Sequence, residues 1–432
     1  MITKELIEQI EGEASVYFEM KEDLVAYATI AFPHFRGMES ILEGKNALDA
    51  LVITPRVCGI CGHSHLMATV RAIENAYENA GYPIVLNKKI ESIREFTLIM
   101  EMIQNHCKWI YFTLLPELEK LSNTKRVQTP LKGAYAASIA SKAIAVFAGQ
   151  WPHSSYMIPG GITADPTNID TLKAESYLDT LISFFEKESL GIDIETFLQF
   201  ESCKEFTQLQ SDISYVEHTL VSLKMHEKGF AYDRFLVIGA HSFTRPSKVK
   251  QTRLMSVDSK YVTTQNAYSP NQKTYAKNAQ YREEYYETGP LARGIASNLP
   301  IVKNMHRRFK DSAYSRVMAR VFEVASLLKE AKKLLQDIDI SEKSANEIVA
   351  ISKISARGVG VVEAPRGPLL HTIEIVNGVI QSYDIVTPTQ FNIGSETAKK
   401  LTPAQKAMQG VTKEEALFIF RSFDVCSVCT TH

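Results

Sequence analysis

Two Cys-x-x-Cys pairs constrain this chain more than any other feature. One lies in Arg56-Val57-Cys58-Gly59-Ile60-Cys61-Gly62-His63-Ser64-His65, the other in Asp424-Val425-Cys426-Ser427-Val428-Cys429-Thr430-Thr431-His432. A Cys-x-x-Cys turn aims two sulfurs at one point, so one metal can take both thiolates. Cys58 and Cys426 stand 368 positions apart. A shared site therefore obliges the fold to bring residues near position 60 against residues near position 426. Soft thiolates accept zinc, iron, nickel or copper, and spacing alone does not choose among them. A structural zinc closed by four cysteines and two independent redox pairs are the other readings. The remaining cysteines, Cys107 and Cys203, are solitary and read as small buried hydrophobes.

With 432 residues the chain can bury a large core, and 45% hydrophobic with 22% charged residues is ordinary globular usage. Lys and Arg number 48 against 49 Asp and Glu. The resulting charge of −1 gives no global field for nucleic acid or an anionic membrane. The best membrane candidate, 134–147, is too short to span and contains Lys142. The first residues lack the apolar stretch of a signal peptide. Six cysteines are too few for a disulfide scaffold, which suits a reducing, cytoplasmic compartment.

Helical patterning dominates the middle of the chain. Residues 88–115 run without Gly or Pro until Pro116, and 316–335 place Val317, Val321, Val324, Leu328, Ala331 and Leu335 on one apolar stripe. Thr412-Lys413-Glu414-Glu415 is a capping-box start for a helix through Phe420. Segments 349–354, 358–363 and 370–385 are richer in Gly and β-branched residues and read as short strands. Residues 251–284 are polar and read as a loop. The whole is expected to be one α+β unit, mainly α, with a long-helix bundle and small peripheral β-sheets, covering 1–432 without an internal boundary.

Beyond the cysteines, the chain resembles the large, catalytic subunit of nickel–iron hydrogenases. Arg56 to His65 fits that family's Arg-x-Cys-Gly-x-Cys-x-x-x-His pattern, and Asp424 to His432 fits its Asp-Pro-Cys-x-x-Cys-x-x-His pattern except for Val425. Further blocks agree in order: Ile10-Glu11-Gly12, Arg36-Gly37-Met38-Glu39, Pro152-His153 with Gly160-Gly161-Ile162-Thr163, Gly289-Pro290-Leu291-Ala292-Arg293, and Glu363-Ala364-Pro365-Arg366-Gly367 with His371. Gln9 and Glu13 depart from the family's Arg and His beside the first block. Relatives within respiratory complex I lack the four cysteines, which this chain keeps.

The resemblance implies a nickel–iron centre whose iron carries carbon monoxide and cyanide. Cys61 and Cys429 would bridge the metals, with Cys58 and Cys426 terminal on nickel. His65 would donate a hydrogen bond to a bridging thiolate, Arg366 would face the open side of the metals, and Pro365 and Thr389 would contact the cyanides. Glu11 would be the first proton relay from Cys426. Glu39 and His432 would hold magnesium. The substrate would be H2, split into protons and electrons, with a hydrogen-sensing subunit as the alternative. Cys107 and Cys203 are too few to hold an iron–sulfur cluster by themselves. The resemblance therefore implies an iron–sulfur small subunit as partner, and the Thr54-Pro55-Arg56-Val57 lead-in resembles cytoplasmic members.

Overall fold

Asn87 and Ser312 start two of the longest helices, each accepting a backbone N–H with its side chain: Asn87 from Ile90, Ser312 from Ser315. The first helix, Lys88–Lys108, and the second, Ala313–Gln336, pack against each other. Thr129–Ala148 and Asn168–Phe184 complete the bundle around them. This computed structural model describes residues 2–7, 12–124, 129–238, 248–250, 254–256, 258–266, 274–394 and 400–427. The expected stripe from Val317 to Leu335 is buried along its whole length, which is the core packing that its spacing predicts.

The sheets are small and antiparallel. Ala14–Lys21 is the middle strand of one, between Ile2–Ile7 and Leu24–Ala31. Gly367–Val376 is the middle strand of another, between Ala356–Ala364 and Val379–Val386. Its register sets Gly360 opposite His371, and His371 opposite Ile385. This sheet lies against the helix Gly62–Asn79 at unusually close range. A Cβ on Gly360 would stand 1.9 Å from the Ala68 carbonyl oxygen, and one on Gly358 would stand 2.0 Å from that of Ala72. No side chain larger than hydrogen fits at either position.

Three expectations need correction. Pro116 does not end its helix: a π-helical turn over Trp109–Leu114 leads into Leu115–Ser122, with Pro116 near the new start, where an amide donor is dispensable. Within 251–284 the described residues are not all loop, since Val262–Asn266 pairs with Lys277–Tyr281. Segment 349–354 holds only a 3-10 turn at Ile351–Lys353. The Thr412 capping box is present and starts Lys413–Ser422. Asp424, at φ 62°, then turns the chain toward Cys426.

Candidate metal centre

The helix Gly62–Asn79 begins directly after Cys61, whose sulfur makes no capping hydrogen bond. Its exposed amides are instead capped from the neighbouring helix. Glu101 accepts the backbone N–H of His63 at 2.8 Å and that of Ser64 at 3.0 Å, together with the Ser64 hydroxyl at 2.8 Å. The Trp151 indole donates to it at 3.3 Å. One turn further, Asn105 donates to the Ile60 carbonyl at 2.6 Å. Glu101 and Asn105, one turn apart on the same helix, thus hold the Cys58–Cys61 turn and the helix start that follows it. Burial pushes the Glu101 carboxyl above the usual range, while its four donors oppose that shift. Gly62 is obligatory here, since a Cβ would meet the Pro55 carbonyl oxygen at 2.8 Å.

Cys58, Cys61 and Cys426 converge and are buried, with their sulfurs all within 4.8 Å of one another. Cys58 and Cys426 are 3.8 Å apart at sulfur. The Cys58 and Cys61 sulfurs are within bonding reach of each other, so a metal would take them as the reduced dithiolate. Among the described residues, this is the one cluster of His, Cys, Asp and Glu suited to hold a metal. Cys429, His432 and Glu11 lie outside the described residues. Cys107 and Cys203 take no part: Cys107 is buried elsewhere, its thiol pushed up to about 12 by burial, and Cys203 is half-buried.

Beside the sulfurs lies a narrow cavity lined by Cys61, His65, Pro365, Arg366 and Thr389, among others. The Thr389 hydroxyl is buried with no hydrogen-bond partner among the described residues. A lone buried hydroxyl wants an acceptor. A small metal ligand with a terminal lone pair, such as cyanide, supplies one, so these residues fit the implied group. Arg366 is buried, pairing with the Asp424 carboxylate at 3.2 Å and donating to the Asp424 carbonyl at 3.1 Å and the Asn105 side-chain oxygen at 3.4 Å. A second cavity of about 290 Å³, walled by Ile60, Trp109, Phe112 and Val425, reaches the same Arg366–Asp424 pair.

Behind Pro365 stands a buried ionic network. Arg293 binds Glu323 through two N–H groups at 2.6 and 2.7 Å, and reaches Glu363 at 2.8 Å and the Pro365 carbonyl at 2.8 Å. Burial opposes ionisation of Glu323, but the charge of Arg293 and the hydrogen bonds around it outweigh burial and hold the carboxyl far below its ordinary value. Glu363, where burial dominates, is pushed up to about 7. Glu101, Asn105 and Glu323 were not singled out by the sequence reading. The available signal was an acid or amide interrupting an apolar helical run, as Glu101 does in Leu98-Ile99-Met100-Glu101-Met102-Ile103. His63 is buried with neither ring nitrogen hydrogen-bonded among the described residues, and burial takes its pKa down to about 3.

Glu39, the expected magnesium ligand, lies at the strand Val379–Val386. Its carboxylate accepts the Ile385 N–H at 2.8 Å and pairs with Lys277 at 3.2 Å.

This fold and this thiolate cluster define a metalloenzyme core rather than a zinc ribbon, whose cysteine pairs are close in sequence. The family model for nickel-dependent hydrogenases matches residues 36–119 and 117–432, and the chain belongs to that family as an enzyme. It is 23% identical to sulfhydrogenase 1 subunit alpha of Pyrococcus furiosus, over 100% of this chain and 97% of that one. It is 24% identical to the periplasmic [NiFeSe] hydrogenase large subunit of Desulfomicrobium baculatum, over 98% and 93%. In structure it is similar to the Ni-Fe-Se hydrogenase from D. vulgaris Hildenborough in the reduced state, with TM-score 0.83, 19% identity and full coverage of both chains. The expected mainly helical architecture with small sheets agrees with that likeness.

Proposed function

We propose that this chain is the catalytic subunit that cleaves H2 heterolytically and reversibly at a nickel–iron centre. The observation that carries the reading is the convergence of three buried cysteine sulfurs beside the unpartnered Thr389 hydroxyl. When bound, the metal pair supplies the Lewis-acid and redox chemistry that polarises the hydrogen molecule. Cys58, Cys61, Cys426 and Cys429 would hold it.

The chain's own groups do the rest. A cysteine sulfur, most directly Cys426, takes the proton, and Glu11 carries it on toward water. Arg366, held flat by Asp424 and Asn105, presents its guanidinium over the cavity and stabilises charge as it develops. Thr389 would donate to a cyanide on the iron, and Pro365, whose carbonyl Arg293 fixes, would line the pocket for the diatomic ligands. The apolar-walled cavity beside Arg366 suits entry of a nonpolar gas. Electrons leave to a small subunit carrying iron–sulfur clusters. Magnesium would be held by Glu39, which lies against the Ile385 backbone and beside Lys277, together with His432, which is outside the described residues. No step is routed through that ion.

No described helix is long and apolar enough to cross a membrane. We place the protein in the cytoplasm, a reading that cell fractionation tests. The deciding experiment is infrared spectroscopy with metal analysis on the purified protein. Nickel and iron near one each, with stretches from iron-bound carbon monoxide and cyanide, are expected. Zinc alone, with no such stretches, would overturn the proposal. Turnover with a redox dye separates an enzyme from a hydrogen sensor.

A further inference from the structure

A buried chain of hydrogen bonds leads away from the sulfurs. His65 lines the narrow cavity with Cys61. Its Nδ1 stands 3.0 Å from Nε2 of His371. Nδ1 of His371 lies 2.8 Å from the Tyr383 hydroxyl and 3.1 Å from the Thr69 hydroxyl. Those two hydroxyls are 2.9 Å apart, and Thr69 meets Thr54 at 2.7 Å. Thr54 reaches the Ala50 carbonyl at 2.8 Å, and Thr69 the His65 carbonyl at 3.0 Å. Every side chain in the chain is buried.

Counting protons leaves two self-consistent arrangements. A neutral imidazole has one donor nitrogen and one acceptor nitrogen. In the first arrangement Tyr383 donates to a bare Nδ1 of His371. Nε2–H of His371 then donates to a bare Nδ1 of His65, and His65 carries its proton on Nε2. In the second, each bond is reversed, and Nε2 of His65 is a bare lone pair. Nδ1 of His65 is taken by His371, so any donation to a sulfur falls to Nε2. A metal-bound thiolate is an anionic acceptor: it favours the first arrangement and is repelled by the second.

We propose that Tyr383 is a positioning residue for the metal centre: by donating its hydroxyl proton to His371 it fixes the tautomers of two histidines and so aims an N–H at the cysteine sulfurs. The inference rests on the proposed function only through the charge of a metal-bound thiolate. Thr69 is the other hydroxyl in reach of His371, but its single proton also serves the His65 carbonyl. Tyr383 is the better donor.

An N–H on a ligand sulfur draws electron density away from the metals. Tyr383→Phe keeps the ring against His371, which now stands edge-on at 5.5 Å, and removes only the donor. The test uses the metal-loaded protein as purified, with 15N-labelled histidine. Long-range proton–nitrogen correlation of wild type should show His65 and His371 protonated at Nε2. In Tyr383→Phe, Nδ1-protonated forms should appear. The iron-bound carbon monoxide stretch should move to lower frequency and the centre's reduction potential should fall, with nickel content and melting temperature unchanged. Thr69→Val should move both less.

A wild-type His371 protonated at Nδ1 overturns the proposal, as does a Tyr383→Phe protein with unchanged tautomers and stretches. A larger effect from Thr69→Val also overturns it, by transferring the role to Thr69. If Tyr383→Phe does not fold, the wild-type nitrogen resonances decide alone. A wild type without iron-bound stretches sinks the proposed function instead, and the nitrogen resonances still decide the role of Tyr383.

Discussion

At the scale of single residues, the four paired cysteines and the two solitary ones should separate cleanly. Cys58→Ala, Cys61→Ala or Cys426→Ala removes a sulfur from a cluster that spans only 4.8 Å. Each should abolish hydrogen-dependent dye reduction and lower bound nickel, and wild-type nickel in any of them would refute the shared site. Cys107→Ala empties a small volume in the core and should stay active, with a modest drop in melting temperature. Arg366 invites a finer substitution. Arg366→Lys keeps the charge but loses the fork that meets Asp424 and Asn105 together. Metal content should be normal while turnover falls by a factor on the order of 10². Unchanged turnover would leave Arg366 as a salt bridge to Asp424 and nothing more.

At the scale of elements, two contacts decide where the sulfurs stand. The first is the capping of Gly62–Asn79 by Glu101. Glu101→Ala leaves two backbone amides, the Ser64 hydroxyl and the Trp151 indole without their buried acceptor. The loss should be about 3 kcal/mol or more in denaturant unfolding, because each orphaned buried donor is costly. Glu101→Gln keeps one acceptor oxygen and should recover part of it. Equal stability of all three proteins would remove Glu101 from this role. The second contact is the sheet on the same helix. Gly360→Ala drives a methyl into the Ala68 carbonyl, and overpacking of this kind should cost about 1–3 kcal/mol.

These elements also show how far the sequence speaks. The capping box at Thr412 and the apolar stripe from Val317 were legible, because each is a local pattern with one local outcome. The convergence of the two cysteine turns was legible because a shared chelate demands their fixed spacing. Glu101 was not, because its partners are amides of another helix 37 and 38 positions away, and an amide leaves no mark in sequence. Tyr383 was hidden for the same reason: it faces His371 only through strand register. The strands Val262–Asn266 and Lys277–Tyr281 looked like loop because their polar residues lack the apolar alternation that announces a strand, although Asn278 and Gln280 are buried.

At the scale of the whole molecule, acid should weaken the fold through histidines buried in neutral form. His106 is fully buried between Glu323, Arg320 and Arg293. Burial lowers its pKa, and the two arginines add to this, while Glu323 opposes them without prevailing. The sign follows: below about 6.5 an unfolded histidine binds a proton that the folded one refuses. Stability is therefore complete above that pH and falls as pH drops through it, by at most about 1.4 kcal/mol per unit for one such group. Urea unfolding between pH 7 and 5 should show that slope. His106→Gln should flatten it, and an unaltered slope would assign the effect to other groups, His63 first.

The distance of 368 positions between Cys58 and Cys426 is also an interval of time. At roughly 5–20 residues per second, synthesis needs about 20–70 s to pass from one to the other. Throughout that interval the first dithiol is made and its counterpart does not yet exist. Metal inserted then would find half of the proposed ligand set, open to exchange with any thiol or stray copper. Loading of the proposed centre must wait until Cys426 has been made, and until then something has to keep a nascent Cys58 and Cys61 reduced and unclaimed.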